Sequence, residues 1–150
     1  MLWSRIEFLG CKMGIGKKSL LFSVGGLGYV ALELLWRGRS HSSMFLAGGS
    51  CFLLLGRLQN KPPVVRALGG AGIITAVELL TGLLANRSFR VWDYRDMPLN
   101  FKGQICLPFS LLWVPVGLAG SILYGCLDRM LTPKKIVKKY VNSQKTENSS

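Results

Sequence analysis

The chain has 150 residues, enough for one domain and short for two. Apolar residues make up 49% of it and charged residues 17%, below the roughly 25% charged of ordinary soluble domains. A net charge of +12 from 19 basic and 7 acidic residues suits a polyanion, but almost all the basic residues lie between apolar runs of bilayer length, so the polyanion they point to is phospholipid, and a nucleic-acid binder is excluded.

Residues 1–18 form a short basic lead in which Trp3, Ile6, Phe8 and Leu9 suit a membrane interface. Within it, Gly14-Ile15-Gly16-Lys17-Lys18-Ser19 has the composition of a phosphate loop and fails as one. The first glycine is off the required spacing, Lys18 stands where Ser or Thr is needed, and no strand precedes it. The apolar run that follows, about 19–36, is too long for the core of a cleaved signal. It ends in Trp36-Arg37-Gly38-Arg39 rather than in small residues, so it reads as a retained signal anchor.

About 20 apolar residues cross a bilayer core, and four segments qualify: about 19–36, 42–58, 67–85 and 105–127. They predict an all-α, integral membrane four-helix bundle over residues 19–129, with a basic amphipathic tail over 130–150. The second segment is the shortest, uninterrupted only from Met44 to Gly56, so a re-entrant segment is its alternative reading; Arg57 can extend it by snorkelling. Between the first two segments, His41 is the only histidine of the chain, which leaves no histidine cluster for a metal. Pro62 and Pro63 stop the helix before the third segment.

The third segment repeats the first. VGGLGYVALELL stands beside GGAGIITAVELL, with Glu33 and Glu78 45 residues apart and Gly25 matched to Gly70. An offset of two crossings returns the chain to the same direction, so the fold resolves into two parallel helical hairpins, with chance similarity of apolar sequence as the alternative. A carboxylate in a bilayer costs on the order of a few kcal/mol unless it is paired, protonated or near the interface. Each glutamate therefore either reaches the outer interface and pairs locally, with Arg37, Arg39, Arg87 and Arg90 as candidate partners, or the two converge between helices to bind a cation, relay protons or hold the outer loop.

The connection from Asn86 to Gln104 is long for a structureless loop and rich in aromatics interleaved with charges. Trp92, Asp93, Tyr94 and Asn100 are its candidate site residues. They make it either a re-entrant or interfacial loop that caps the bundle through Asp–Arg pairs, or a lid over a polar vestibule. In the fourth segment Pro108 and Pro115 can each kink the helix, and Gly117, Ser121 and Gly125 fall every four residues as a packing ridge, used within the chain or in a homo-oligomer or membrane partner. The four cysteines form no CxxC pair. In the tail, Ile136, Val137, Tyr140 and Val141 fall on one side of a helical wheel and Lys134, Lys135, Lys138 and Lys139 on the other, which suits the anionic inner leaflet, a frayed solvated tail being the alternative.

With four crossings, thirteen of the nineteen basic residues share the side of the termini. The positive-inside rule then places both termini in the cytoplasm and the Asn86–Gln104 loop outside.

Glu78 with Thr81-Gly82, then Trp92-Asp93-Tyr94, Pro98, Asn100, Gly103-Gln104-Ile105-Cys106-Leu107 and Trp113, resemble the putative ABC-transporter type IV membrane family. Arg37-Gly38, Ser40-His41, Met44 and Gly48-Gly49 resemble its shorter bacterial members, and the likeness runs roughly from Leu20 to Arg129. The resemblance implies a polytopic bacterial cell-membrane protein associated with transport. Without an ATPase or cofactor motif, three function classes remain: a permease-like component with a polar site at the outer ends of its helices, a non-catalytic membrane scaffold or partner subunit, and an intramembrane enzyme built on Glu33, Glu78 and Asp93.

Overall fold

The structure, a computed structural model, describes residues 2–132, with side chains from Gly14 onward; the amphipathic tail with Lys134, Lys135, Lys138 and Lys139 lies outside the described residues, as do the side chains of residues 1–13. Helix α1 runs Leu2–Arg37 and α2 Ser42–Leu55, the latter prolonged by one 3-10 turn, Gly56–Leu58. Helix α3 runs Pro63–Ala85, and α4 runs Leu107–Leu131 after an antiparallel pair of two-residue strands, β1 (Asn100–Phe101) and β2 (Ile105–Cys106). This is the all-α bundle that the hydropathy pattern predicts.

Local chemistry sets the helix ends. Gly38, at φ +68, turns the chain out of α1 while its N–H still bonds to Leu34 O at 2.9 Å. His41 is the N-cap of α2, its ring nitrogen accepting from the Ser43 N–H at 3.2 Å. Helix α3 begins at Pro63, four residues before the predicted boundary, because a proline in the first turn gives up an N–H that has no helical partner anyway. The same holds for Pro108, which opens α4 instead of kinking it; only Pro115 is inside the helix. The predicted start of the fourth span at 105 is two residues early, since Ile105 and Cys106 pair with Phe101 and Asn100.

Polarity is distributed as lipid demands. Leu35, Trp36, Leu84 and Met130 are 74–86% exposed, whereas Glu33, Glu78, Asn86, Gln104 and Ser121 are buried. Gly14–Arg37, Pro63–Ala85 and Leu107–Leu131 are long and apolar enough to cross a membrane. The 14 residues of α2 rise only about 21 Å against a hydrocarbon core of about 30 Å. Yet α2 is the most enclosed helix, with Met44, Ala47, Gly48, Gly49, Cys51, Phe52 and Leu55 all buried. It begins beside the Glu33 end of α1 and leaves beside Tyr124 of α4, which lies against Gly56. It therefore traverses the bundle and does not turn back.

The two hairpins, α1–α2 and α3–α4, each close on a glycine contact. A Cβ at Gly25 would lie 2.8 Å from the Gly48 carbonyl oxygen, and one at Gly70 2.7 Å from Gly117 Cα. Gly25 and Gly70 are the positions that the internal sequence match aligns. The ridge on α4 is consumed within the chain: Gly117 seats Gly70, the fully buried Ser121 accepts from Arg66 Nε at 2.9 Å, and Gly125 faces Gln59. At the end away from the long loop, Lys17 Nζ joins α1 to α4 through Asp128 Oδ1 at 2.7 Å and Thr132 Oγ1 at 2.6 Å.

Backbone cannot yield where Gly70 meets Gly117. Gly70→Ala is therefore expected to cost about 1–3 kcal/mol and to lower the melting temperature in detergent. Gly72→Ala, whose added methyl meets open space, should leave it unchanged or slightly raised; equal melting shifts in the two variants would refute this account of the crossing.

Candidate functional site: a capped pair of buried carboxylates

Glu33 lies one turn before the end of α1, where i,i+4 spacing puts Arg37 on its face. Its Oε1 accepts from Arg37 Nη2 at 2.8 Å and its Oε2 from Ser40 Oγ at 2.8 Å. Arg37 also donates Nη1 to the carbonyl of Val91 at 2.9 Å, so the pair ties α1 to the long loop. Glu78 sits two turns before the end of α3 and ties three elements together. Its Oε1 accepts from Tyr94 Oη of the loop at 3.1 Å, and its Oε2 from Trp113 Nε1 of α4 at 3.0 Å. Both glutamates are 6% exposed, and each oxygen has its own donor.

Two amides close the neck of the loop. Asn86, fully buried at the C-cap of α3, donates Nδ2 to Trp92 O at 2.6 Å and to Gln104 Oε1 at 3.1 Å, and accepts from the Val91 N–H at 2.9 Å. Gln104 returns Nε2 to Asn86 O at 3.1 Å and takes the Trp92 indole N–H on its carbonyl at 2.9 Å. With the neck shut, Trp92, Tyr94 and Cys106 pack on Met44 of α2, and Tyr94 stacks on Phe109 at 4.9 Å between ring centroids. No side-chain nitrogen or oxygen is left buried without a partner among the described residues. Beside Glu78 a cavity of about 10 Å³ remains, bounded by Tyr29, Met44, Cys51 and Trp92 among others, room for about one water.

The structure brings Glu33, Glu78, Trp92 and Tyr94 to one end of the bundle but not Asp93 or Asn100. Asp93 faces outward, accepting from Arg95 Nη2 at 2.6 Å and from its backbone N–H at 3.0 Å; the Arg95 guanidinium holds the Asp93 carboxyl below its usual range. The expected closure of the loop through Asp–Arg pairs is thus replaced by indole, phenol and amide hydrogen bonds. Asn100 shapes the tip, donating to Arg95 O and Met97 O and accepting from the Gly103 N–H. Of the candidate ion-pair partners only Arg37 reaches a glutamate among the described residues. Arg87 bonds to Leu83 O instead, because at about 100° per residue its nine-residue offset from Glu78 lies on the opposite side of a helix. Arg39 and Arg90 form no ion pair among the described residues.

Asn86, Gln104 and Trp113 do not stand out as site residues by sequence reasoning. The available signal was chemical: a carboxylate within an apolar segment needs donors compatible with lipid, and Trp113 carries the only indole of the fourth segment. Among the described residues no group of three or more His, Cys, Asp or Glu is arranged to hold a metal. The stretch Gly14–Ser19 is helical, so its amides are committed to the helix and cannot cradle a phosphate.

A family model described as putative ABC-transporter type IV matches residues 20–143. Comparison with curated proteins and with solved structures gives no match.

Two outcomes follow from the cap. Asn86→Ala strands several buried partners, at a cost of about 1–3 kcal/mol or more, and should speed tryptic cleavage at Arg87, Arg90, Arg95 or Lys102 well beyond Asp93→Ala, whose pair is on the surface; similar cleavage rates in the two would contradict it. Burial, then the neighbouring Glu78 carboxylate, raise the Tyr94 phenol above its ordinary value near 10. A raised folded-state value means the folded cap holds that proton more tightly, so its contribution is complete below about pH 10 and declines as pH rises further. Titration by tyrosinate absorbance should show a late-ionising group that Tyr94→Phe removes.

Proposed function

The chain belongs to the putative ABC-transporter type IV family, and from that membership we propose that it serves as a non-catalytic, transport-associated membrane subunit whose outer end is a fixed cap. The observation that carries this reading is the saturation of both buried carboxylates by donors of the same chain. A path for a polar solute needs space and polar groups free to exchange partners. Here the cavity beside Glu78 measures about 10 Å³, and each glutamate oxygen already holds a donor from α1, α4 or the loops. Catalysis is disfavoured on the same ground, since an acid, a base and a reacting atom must meet in one place and Asp93 is turned away. In this reading Glu33 and Glu78 hold the cap, and the cap in turn fixes the relative positions of the two hairpins. Both termini lie in the cytoplasm and the cap faces outward, a placement supported by the thirteen basic residues on the side of the termini against six on the other.

Cys106, 2% exposed beneath the cap, reports on the distinction. In a variant with Cys106 as its only cysteine, reconstituted into vesicles, a membrane-impermeant maleimide should leave the thiol unlabelled, and Trp92→Ala should expose it. Rapid labelling of the otherwise unaltered cap would identify an opening gate and overturn the fixed-subunit reading. So would flux of small polar solutes through the vesicles that stops on the Glu33→Gln, Glu78→Gln double change.

A further inference from the structure

Outside the cap, between the last turn of α1 and the first turns of α4, lies an open cleft of about 310 Å³ whose lining includes Trp36, Arg37, Arg39, Trp92, Asp93 and Tyr94. We propose that this cleft binds the phosphate of an acidic phospholipid in the leaflet at the cap end of the bundle. Nothing in the cap's own construction needs it: Trp92 and Tyr94 present one side to Met44 and Glu78 and the other to this opening.

Charge decides the class of ligand. Four charged residues stand at or against the cleft, counting Glu33 behind Arg37. Glu33 is neutralised by Arg37 at 2.8 Å, and Asp93 by Arg95, outside the cleft, at 2.6 Å. Arg39 is exposed and has no ion pair among the described residues. The cleft therefore carries one uncompensated positive charge, the complement of one phosphodiester. Arg37 adds directional donors, since a guanidinium has five N–H groups and two of its nitrogens are engaged, with Glu33 and with Val91 O.

Position decides between a lipid and a soluble anion. Trp36 is 76% and Leu35 86% exposed on a helix long and apolar enough to span a bilayer, so the α1 side of the cleft opens onto hydrocarbon. Tryptophan and tyrosine favour the headgroup level, and Tyr94 stacked on Phe109 forms a rigid aromatic wall there. A phosphate beside Arg37 and Arg39 leaves its acyl chains free to run down past Trp36 and Leu35. This site is distinct from any attraction of the lysine tail, which joins the chain at the other end of α4.

The full chain in nanodiscs of phosphatidylcholine, doped with a phosphatidylglycerol analogue bearing a photoactivatable headgroup, tests the site by peptide mapping. Cross-links are expected within Trp36–Arg39 and Val91–Tyr94. Arg39→Gln, which removes no internal bond, should reduce their yield about tenfold, the scale of one charge-assisted hydrogen bond lost. Replacing Lys134, Lys135, Lys138 and Lys139 together by Gln should leave these particular cross-links unchanged. An undiminished yield in Arg39→Gln, or an equal yield from a phosphatidylcholine analogue, overturns the proposal. Full competition by inorganic phosphate assigns the cleft to a soluble anion and overturns it as well.

Discussion

A carboxylate placed in lipid must find a donor for each oxygen, and that requirement shapes the cap end of this protein. An isolated acid at the centre of a membrane helix costs about 3 kcal/mol or more. Two hydrogen bonds to a charged group, at roughly 1.5–3 kcal/mol each, are of the same size. Glu78 obtains its two from Trp113 and Tyr94, one on the neighbouring helix and one on the long loop. The loop cannot lift away without leaving the glutamate half satisfied. Glu33 repeats the device with Arg37 and Ser40, and Arg37 extends it to the loop backbone at Val91. An aromatic-rich connection that would otherwise sit in the interface is thereby folded down as part of the bundle.

The rest of the bundle is arranged by contact rather than by polarity. In lipid there is no hydrophobic force between helices, and close backbone approach supplies the packing. Gly25 against Gly48 and Gly70 against Gly117 are close backbone approaches, one within each hairpin. They close the two hairpins, and the short α2 is enclosed between its neighbours. The connections then differ: four residues join α1 to α2, whereas the whole cap joins α3 to α4. The cap thus belongs to the second hairpin alone.

The helices were legible because period and length are carried by apolar residues, which lipid contact makes abundant, and Glu33–Arg37 was legible because i,i+4 neighbours need no tertiary knowledge. The partners of Glu78 were not legible from charge. Arg87 is nearer in sequence, but the ring nitrogen of Trp113, 35 residues away, is nearer in space. Asn86 and Gln104 escaped for a related reason: amides at the two ends of a polar loop look like ordinary loop residues until their mutual bonds are seen. Segment length alone leaves the 14-residue α2 short of a bilayer core. Crossing by hydropathy assumes a lipid-facing helix, whereas α2 is enclosed by its neighbours and filled with small residues.

The amide clasp separates the neck of the connection from its tip. Beyond the bond from Tyr94 N–H to Gly103 O at 3.0 Å, the residues from Arg95 to Lys102 make no side-chain hydrogen bond to a helix; they are held by Asn100, the Arg95–Asp93 pair, the β1–β2 pairing and the packing of Met97, with Leu99 and Lys102 in left-handed backbone. Doubling the length of such a closed segment costs only about 0.6 kcal/mol in chain entropy. Lineages of this fold can therefore diversify the tip, by insertion or by exchange of residues, without disturbing the membrane scaffold beneath, much as a fixed setting accepts different stones.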